Sequence, residues 1–185
     1  MKILARGALW FIVAVSCVSA QPSTMLNDWD IHKTLDAIAL HADRLAPFVD
    51  QIHPENWIAA GAPQAYVSQA KTCHSELLAI AAAARELSRN PEKLTGALQL
   101  LFRIRTLETM LASLGEGLRK YQNPPMAEML QGAVAEDAGN RDRLQQYSLE
   151  LAIAKEQEFH VADEEAQRCR QSLSRGAVSA PQEKH

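Results

Sequence analysis

The stretch "YQNPPMAEML", residues 121–130, decides how the chain is arranged. Pro124 and Pro125 lack backbone N–H groups, and a residue that precedes a proline avoids the right-handed helical region. A helix that reaches Tyr121 is therefore interrupted at this point. After the interruption the chain either bends and continues in the same direction, or reverses and packs against the helix before it.

Helical patterns lie on both sides of this stretch. Apolar residues recur at spacings of three and four, which is typical of amphipathic helices, and we predict helices over residues 29–52, 64–89, 91–121, 126–138 and 141–173. The chain is 47% hydrophobic but only 5% aromatic, which favours helices over strands. We therefore predict an all-α fold, an elongated antiparallel bundle of four to five helices within residues 28–173.

Two connectors are marked by turn-forming residues. Residues 53–63 contain prolines at both ends, and Trp57 within them is interpreted as a hydrophobic plug over one end of the bundle. Gly139 and Asn140 resemble the glycine that ends one helix and the cap that begins another. We therefore expect a chain reversal at Gly139–Asn140.

The first twenty residues have the pattern of a signal peptide. Lys2 and Arg6 precede the apolar run "GALWFIVAVSCV", which is too short for a typical membrane span. Small residues before Gln21 predict cleavage between Ala20 and Gln21, which leaves residues 21–27 as an N-terminal arm. A lipoprotein site at Cys17 and an uncleaved anchor are the alternatives.

The predicted cleavage places the mature chain in the periplasm or outside the cell. Loss of two basic residues and no acidic ones takes the formal net charge from −3 to −5, which does not favour binding to nucleic acid. No stable membrane span is expected after cleavage. Residues 174–185 lack apolar periodicity, so we expect a disordered tail.

Cys73 and Cys169 remain after cleavage, and both lie on apolar helix faces that we assign to the core. The face that carries Cys169 consists of Phe159, Ala162, Ala166, Cys169 and Leu173. An even number of cysteines in an oxidising compartment favours a disulfide. The helical rise places them at the same level only if the central helix is kinked at Pro124–Pro125 and the chain reverses at Gly139–Asn140. The predicted Cys73–Cys169 bridge therefore favours a bend; without it, a plain up-down bundle that reverses at Pro124 is preferred.

The kinked arrangement makes residues 126–155 a projecting helical hairpin. Part of the apolar stripe of such a hairpin is expected to stay exposed as a partner surface or a self-association interface. The residues concerned are Met126, Met129, Leu130, Val134, Leu144, Tyr147 and Leu151. The alternative is that the first helix or the loop of residues 53–63 covers them.

Motifs that carry chemistry are not found in the sequence. There is no haem-attachment, zinc-helix, phosphate-loop or hydrolase-elbow pattern, so no catalytic, cofactor-binding or metal-binding residue and no cofactor is predicted. Histidines are the only candidate ligands, and Glu156 and His160 are interpreted as an ordinary surface pair four residues apart. We therefore expect a non-enzymatic interaction or structural protein of the cell envelope, with a protein partner that the sequence does not identify. A small-ligand, metal or haem-binding bundle is the alternative, and an enzyme the third hypothesis.

Overall fold

The computed structural model describes residues 28–178 of the chain. This part contains five α-helices, a short 3₁₀ helix and no strand, which confirms the all-α prediction. The α-helices are α1 (Asp28–Asp50), α2 (Ala65–Arg89), α3 (Leu94–Tyr121), α4 (Pro124–Ala135) and α5 (Ala138–Val178), and the 3₁₀ helix is Pro54–Ala60.

α2, α3 and the rod that α4 forms with the first part of α5 each run antiparallel to the α-helix before them. Residues that are far apart in the chain meet in an antiparallel register: His32 with Ser88 and Asp50 with His74 across α1 and α2, and Glu76 with Arg103 and Gln69 with Met110 across α2 and α3. Contacts of α1 with α5 complete the arrangement. The described chain is therefore an up-down bundle in which α4 and the first part of α5 form the fourth rod.

The chain reverses at Asn123, and the predicted kinked central helix is not observed. The Asn123 N–H donates to the Leu118 carbonyl at 2.9 Å and ends α3, while Pro124 occupies the first turn of α4, where its missing N–H is tolerated. The next helix lies back along α3. This is shown by contacts whose numbers converge on the turn, namely Gly115 with Leu130, Glu108 with Arg141 and Pro91 with Tyr147.

The predicted reversal at Gly139–Asn140 is also wrong, and with it the projecting hairpin. The break between α4 and α5 falls at Glu136 and Asp137, and Glu136 keeps right-handed helical dihedral angles. Because the contacts with α3 continue in one direction through this break, α4 and α5 form one rod with a short interruption. The antiparallel alternative, with a reversal at Pro124, is the observed one.

The core lies between the four rods and is almost entirely aliphatic. At least one leucine from each of the five α-helices is no more than 1% exposed: Leu35, Leu77, Leu100, Leu114, Leu118, Leu130 and Leu144. Except for Leu100, these residues belong to the predicted apolar faces, so the helical pattern identified most of the core. Burial of each such side chain contributes about 1.5–3 kcal/mol relative to exposure.

Trp57 closes one end of the bundle, as the sequence predicted. Its indole ring is 1% exposed and packs between Tyr66 and Tyr121, with ring centroids 5.6 and 6.3 Å away. The indole N–H donates to Gln122 Oε1 at 2.8 Å. A Cβ atom at Gly117 would lie only 2.7 Å from the ring, so a glycine is needed there for the ring to fit.

The predicted Cys73–Cys169 bridge is not formed, and both cysteines are free. Tyr147 lies level with Pro91, and the helical rise carries Cys169 about 33 Å beyond that level. Cys73 lies about 25 Å in the opposite direction along α2. A disulfide requires Cα atoms about 4.4–6.8 Å apart, so this topology cannot join them.

The remaining predictions concern the two ends of the chain. α5 continues to Val178, so the helix runs five residues past the predicted end at Leu173 and into the predicted tail. The cleavage site at Ala20–Gln21, the alternative site at Cys17, the arm of residues 21–27 and tail residues 179–185 lie outside the described residues.

Candidate functional site

Most residues of the predicted partner surface are buried. Leu130, Leu144 and Leu151 are no more than 3% exposed and Tyr147 is 7% exposed, while Met126 and Val134 are half-buried against the core. Met129 alone of the seven is largely exposed, at 58%. Because α4 lies against α3, the other six residues lie on the inner face of the fourth rod. The seven residues therefore form no continuous exposed surface.

A polar cluster lies where α4 passes into α5. Arg141 Nη1 donates to Glu108 Oε1 at 2.6 Å, and Nη2 contacts Asp142 at 3.1 Å. The hydrogen bond to Glu108 raises the pKa of Arg141 above its ordinary value. Arg105 donates to Gln145 one turn further along. These contacts fix the register between α3 and α5. They are made by polar side chains alone.

His41 is the buried histidine of the bundle, at 8% exposure. Desolvation lowers its pKa, and this effect outweighs the opposing effect of Asp137. Beside it lies a cavity of about 40 Å³ lined mainly by aliphatic side chains, with Glu108 and Arg141 on its wall. That volume accommodates on the order of three water molecules and is far below the roughly 300–1,000 Å³ typical of small-molecule sites.

The remaining candidate ligands have local polar partners. His32 Nδ1 lies 3.1 Å from Ser88 Oγ. His74 Nδ1 lies 2.8 Å from Asp50 Oδ1, but the contact lacks the geometry of a hydrogen bond. His160 lies 3.5 Å from Glu164, so its partner is the acid on its C-terminal side and not the predicted Glu156. Among residues 28–178, no group of three or more His, Cys, Asp or Glu side chains has the arrangement of a metal site.

The two cysteines differ sharply in environment. Cys73 is fully buried on α2, and burial raises the pKa of its thiol to about 11. The thiolate is the reactive form of cysteine, so Cys73 should react slowly at neutral pH. Cys169 is exposed on α5, and its thiol is the accessible one.

The largest unpartnered feature is the end of α5, residues 156–178, which we call the extension. Every residue from Glu156 to Ser174 is exposed, and about 35 Å of helix leaves the bundle. Ion pairs between Arg168, Glu164 and His160 lie on its outer face. It nevertheless exposes large apolar side chains: Phe159 at 75%, Leu173 at 69% and Val161 at 54%.

The apolar positions of the extension form a regular seam: Phe159, Ala162, Ala166, Cys169 and Leu173. The spacings of three and four are those of a helix face that packs against another helix. The apolar spacing predicted this face but placed it in the core, which is wrong, because all five residues are exposed. Its central residues are two alanines and a cysteine, whereas the buried part of α5 presents Leu144, Tyr147 and Leu151. That contrast is the signal that could have separated the two regions.

An open groove lies where the extension leaves the bundle. It has a volume of about 430 Å³ and is lined by Leu94 at the start of α3 and by α5 residues that include Ala152, Lys155 and Phe159. Its walls combine apolar carbon with the charged groups of Lys155 and Asp163. The groove and the seam are continuous, and we treat them together as the candidate functional site.

Neither a membrane span nor a known family is found for the described part of the chain. Within residues 28–178, no helix combines the length and the apolar character needed to cross a membrane. No protein-family model matches this chain, and comparisons with curated proteins and with solved structures give no match.

Proposed function

We propose that this chain is an exported, non-enzymatic helical-bundle protein of the cell envelope that acts by binding another protein chain through the α5 extension. The observation that carries the proposal is the exposed seam, in which Phe159 and Leu173 are 75% and 69% exposed. Apolar side chains that recur along one face of a solvated helix are typical of a helix-pairing surface.

The bundle serves as the rigid base for this surface. The first part of α5 is anchored by Leu144 and Leu151 in the core and by the Tyr147 hydroxyl, which donates to the Pro91 carbonyl at 2.8 Å. A helix held at one end in this way keeps its direction when it leaves the core. Less conformational entropy is then lost on binding than for a detached peptide.

Charged residues keep the extension soluble before it binds. Lys155 pairs with Glu158 at 2.9 Å, and Arg168 pairs with Glu164 at 3.2 Å. Exposed pairs of this kind contribute only about 0.3–0.5 kcal/mol each to helix stability. They support a helix whose face has no partner within the described chain, and they leave the seam itself uncharged.

Site-specific photo-crosslinking in the producing cells tests this function. A photoreactive residue at Ala166 in the seam should capture a protein chain, whereas the same residue at Gln171, about 140° away around the helix, should not. Equal capture at both positions, or none at either, would contradict the proposal. Mass spectrometry of the captured product identifies the partner.

A further inference from the structure

The direction of the seam restricts what can bind there. At about 100° per residue, the mean direction of the seam lies about 47° from that of the face that Leu144, Tyr147 and Leu151 turn toward the bundle. The seam therefore faces the space beyond the end of the bundle, over the start of α3. The groove beside Leu94 and Phe159 opens into the same space, so one occupant can contact both the seam and the groove.

We propose that the occupant is the extension of a second copy of this chain, paired antiparallel to the first, so that each extension lies against the other and reaches the groove of the other molecule. This inference rests on the proposed function, because it names the partner of the same seam. The extension is itself a helix, and its apolar face has no partner within residues 28–178.

Steric considerations exclude the parallel pairing. Paired helices lie about 8–10 Å apart, and a parallel second α5 on the seam side would continue into the first molecule's own bundle. In the antiparallel pairing the second helix ends where the first bundle begins. If Ala166 lies opposite Cys169 of the second copy, residue 178 of the second copy lies level with residue 157, beside the groove.

The seam residues fit this register. Ala166 lies opposite Cys169 of the second copy, and Ala162 lies opposite Leu173 of the second copy, so each of these layers contains an alanine. Small side chains allow two helices to approach closely, and a leucine can fill the space that an alanine leaves. All four residues are exposed in the single chain.

Charge complementarity supports the same register. Asp163 and Arg170 flank one side of the seam, seven residues apart, and neither has an ion-pair partner among the described residues. In the antiparallel pair Asp163 lies beside Arg170 of the second copy, and the twofold symmetry forms this contact twice. Parallel pairing would instead place Glu158 beside Asp163 of the second copy, which is repulsive, and Glu165 beside Arg170 of the second copy, which is attractive. These two contacts oppose each other, whereas the antiparallel contact is attractive in both copies.

Analytical ultracentrifugation of the chain from Gln21 to His185 tests the proposal. The wild-type protein should form a concentration-dependent dimer. Ala166→Glu puts two charges into the apolar seam and should weaken the dimer at least tenfold, whereas Gln171→Glu on the opposite face should leave it unchanged. Circular dichroism checks that both variants keep their helices. A wild-type protein that is monomeric at every concentration would overturn the proposal.

Charge exchange tests the register. Arg170→Asp should weaken the dimer severalfold by placing acids beside Asp163, and the exchange of both residues, Asp163→Arg with Arg170→Asp, should restore it. A double variant that is no stronger than Arg170→Asp would overturn the antiparallel register.

Disulfide crosslinking with Cys169→Ser as the background tests the orientation. Under a glutathione redox buffer, Ala162→Cys and Leu173→Cys chains should crosslink to each other and neither should crosslink to itself. Self-crosslinking of Ala162→Cys chains would show a parallel pair and overturn the proposal. A monomer that still gives a seam-specific crosslink to another protein in cells would overturn this inference alone and leave the proposed function standing.

Discussion

The two parts of α5 follow the same apolar spacing in opposite surroundings. In residues 138–151 the apolar face lies in the core, and Leu144 and Leu151 are no more than 3% exposed. In the extension the apolar positions recur at the same spacings, yet Phe159 and Leu173 are more than two-thirds exposed. Periodicity therefore shows that a helix has an apolar face, and it does not show whether the same chain supplies the partner.

The composition of the two faces explains the difference in stability that we expect between them. The buried part presents large side chains, and its contacts extend over α1, α3 and the end of the bundle. The extension presents small side chains at its centre and is held as a helix by surface ion pairs and by continuity with the buried part. The following predictions test this comparison, from the largest expected effect to the smallest.

Truncation of one leucine in each part should give the largest difference. Leu144→Ala removes a fully buried side chain and should lower the free energy of unfolding by about 2–5 kcal/mol. Leu173→Ala, on the exposed extension, should change it by less than about 0.5 kcal/mol. Urea denaturation at low protein concentration, where no dimer forms, measures both. Equal losses would mean that the extension packs against its own bundle.

The reactivity of the two cysteines should also differ between the core and the extension. A thiol pKa of about 11, two units above its ordinary value of 9.0, leaves Cys73 about a hundredfold less thiolate, and burial blocks access further. In a chain that begins at Gln21, iodoacetamide should therefore alkylate Cys169 at least a hundredfold faster than Cys73. Peptide mapping over time measures both rates, and similar rates would contradict the buried position of Cys73.

Substitution of two glycines should have opposite effects, because one is packed against Trp57 and the other lies on an open helix surface. An added Cβ at Gly117 would lie 2.7 Å from Trp57 and 2.9 Å from Tyr66, whereas one at Gly132 meets nothing within 4 Å. Gly117→Ala should therefore destabilise the protein by about 1–3 kcal/mol, and Gly132→Ala should stabilise it by up to about 1 kcal/mol. Thermal denaturation shows the sign of each change; stabilisation by Gly117→Ala would refute the plug.

The pH dependence of stability should report on His41 and the bundle interior. Because burial lowers the His41 pKa below 6.5, the unfolded chain binds the proton more readily than the folded one. The contribution of His41 to stability is thus fully present above about pH 6.5 and is lost as the pH falls below that value. The slope should not exceed about 1.4 kcal/mol per pH unit.

The matching variant is His41→Gln, which cannot titrate. Its free energy of unfolding should depend less on pH than that of the wild type between about pH 7.5 and 5.5, as measured by urea denaturation. If the two proteins show the same slope in this range, the loss of stability comes from other groups and the assignment to His41 fails.

Local physical chemistry was enough to predict several elements from the sequence. The apolar spacing of α1, α2 and α3 identified their inner faces, because a helix in water must bury such a face. The proline pair identified the end of α3, because Pro124 cannot continue its hydrogen bonding. The interpretation of Trp57 as a plug followed from a large apolar residue in a short connector between two helices.

The candidate site was predicted only in part. The seam from Phe159 to Leu173 was recognised, but it was assigned to the core because its spacing is that of a buried face. The groove beside Leu94 was not predicted, since it depends on where α5 leaves the bundle. The disulfide prediction relied on an even number of cysteines, and that count carries no information about distance.

The sequence by itself determined that this chain is helical, where most of its helices begin and end, and which face of each is apolar. These properties depend on residues within a few turns of one another. Tertiary structure alone decided the direction of the chain after Asn123, and with it the level of Cys169 and the exposure of the extension. A proline ends a helix without setting the course of the next one. That course is set by contacts such as Leu130 with Gly115 and Arg141 with Glu108, which form only once the rods lie side by side.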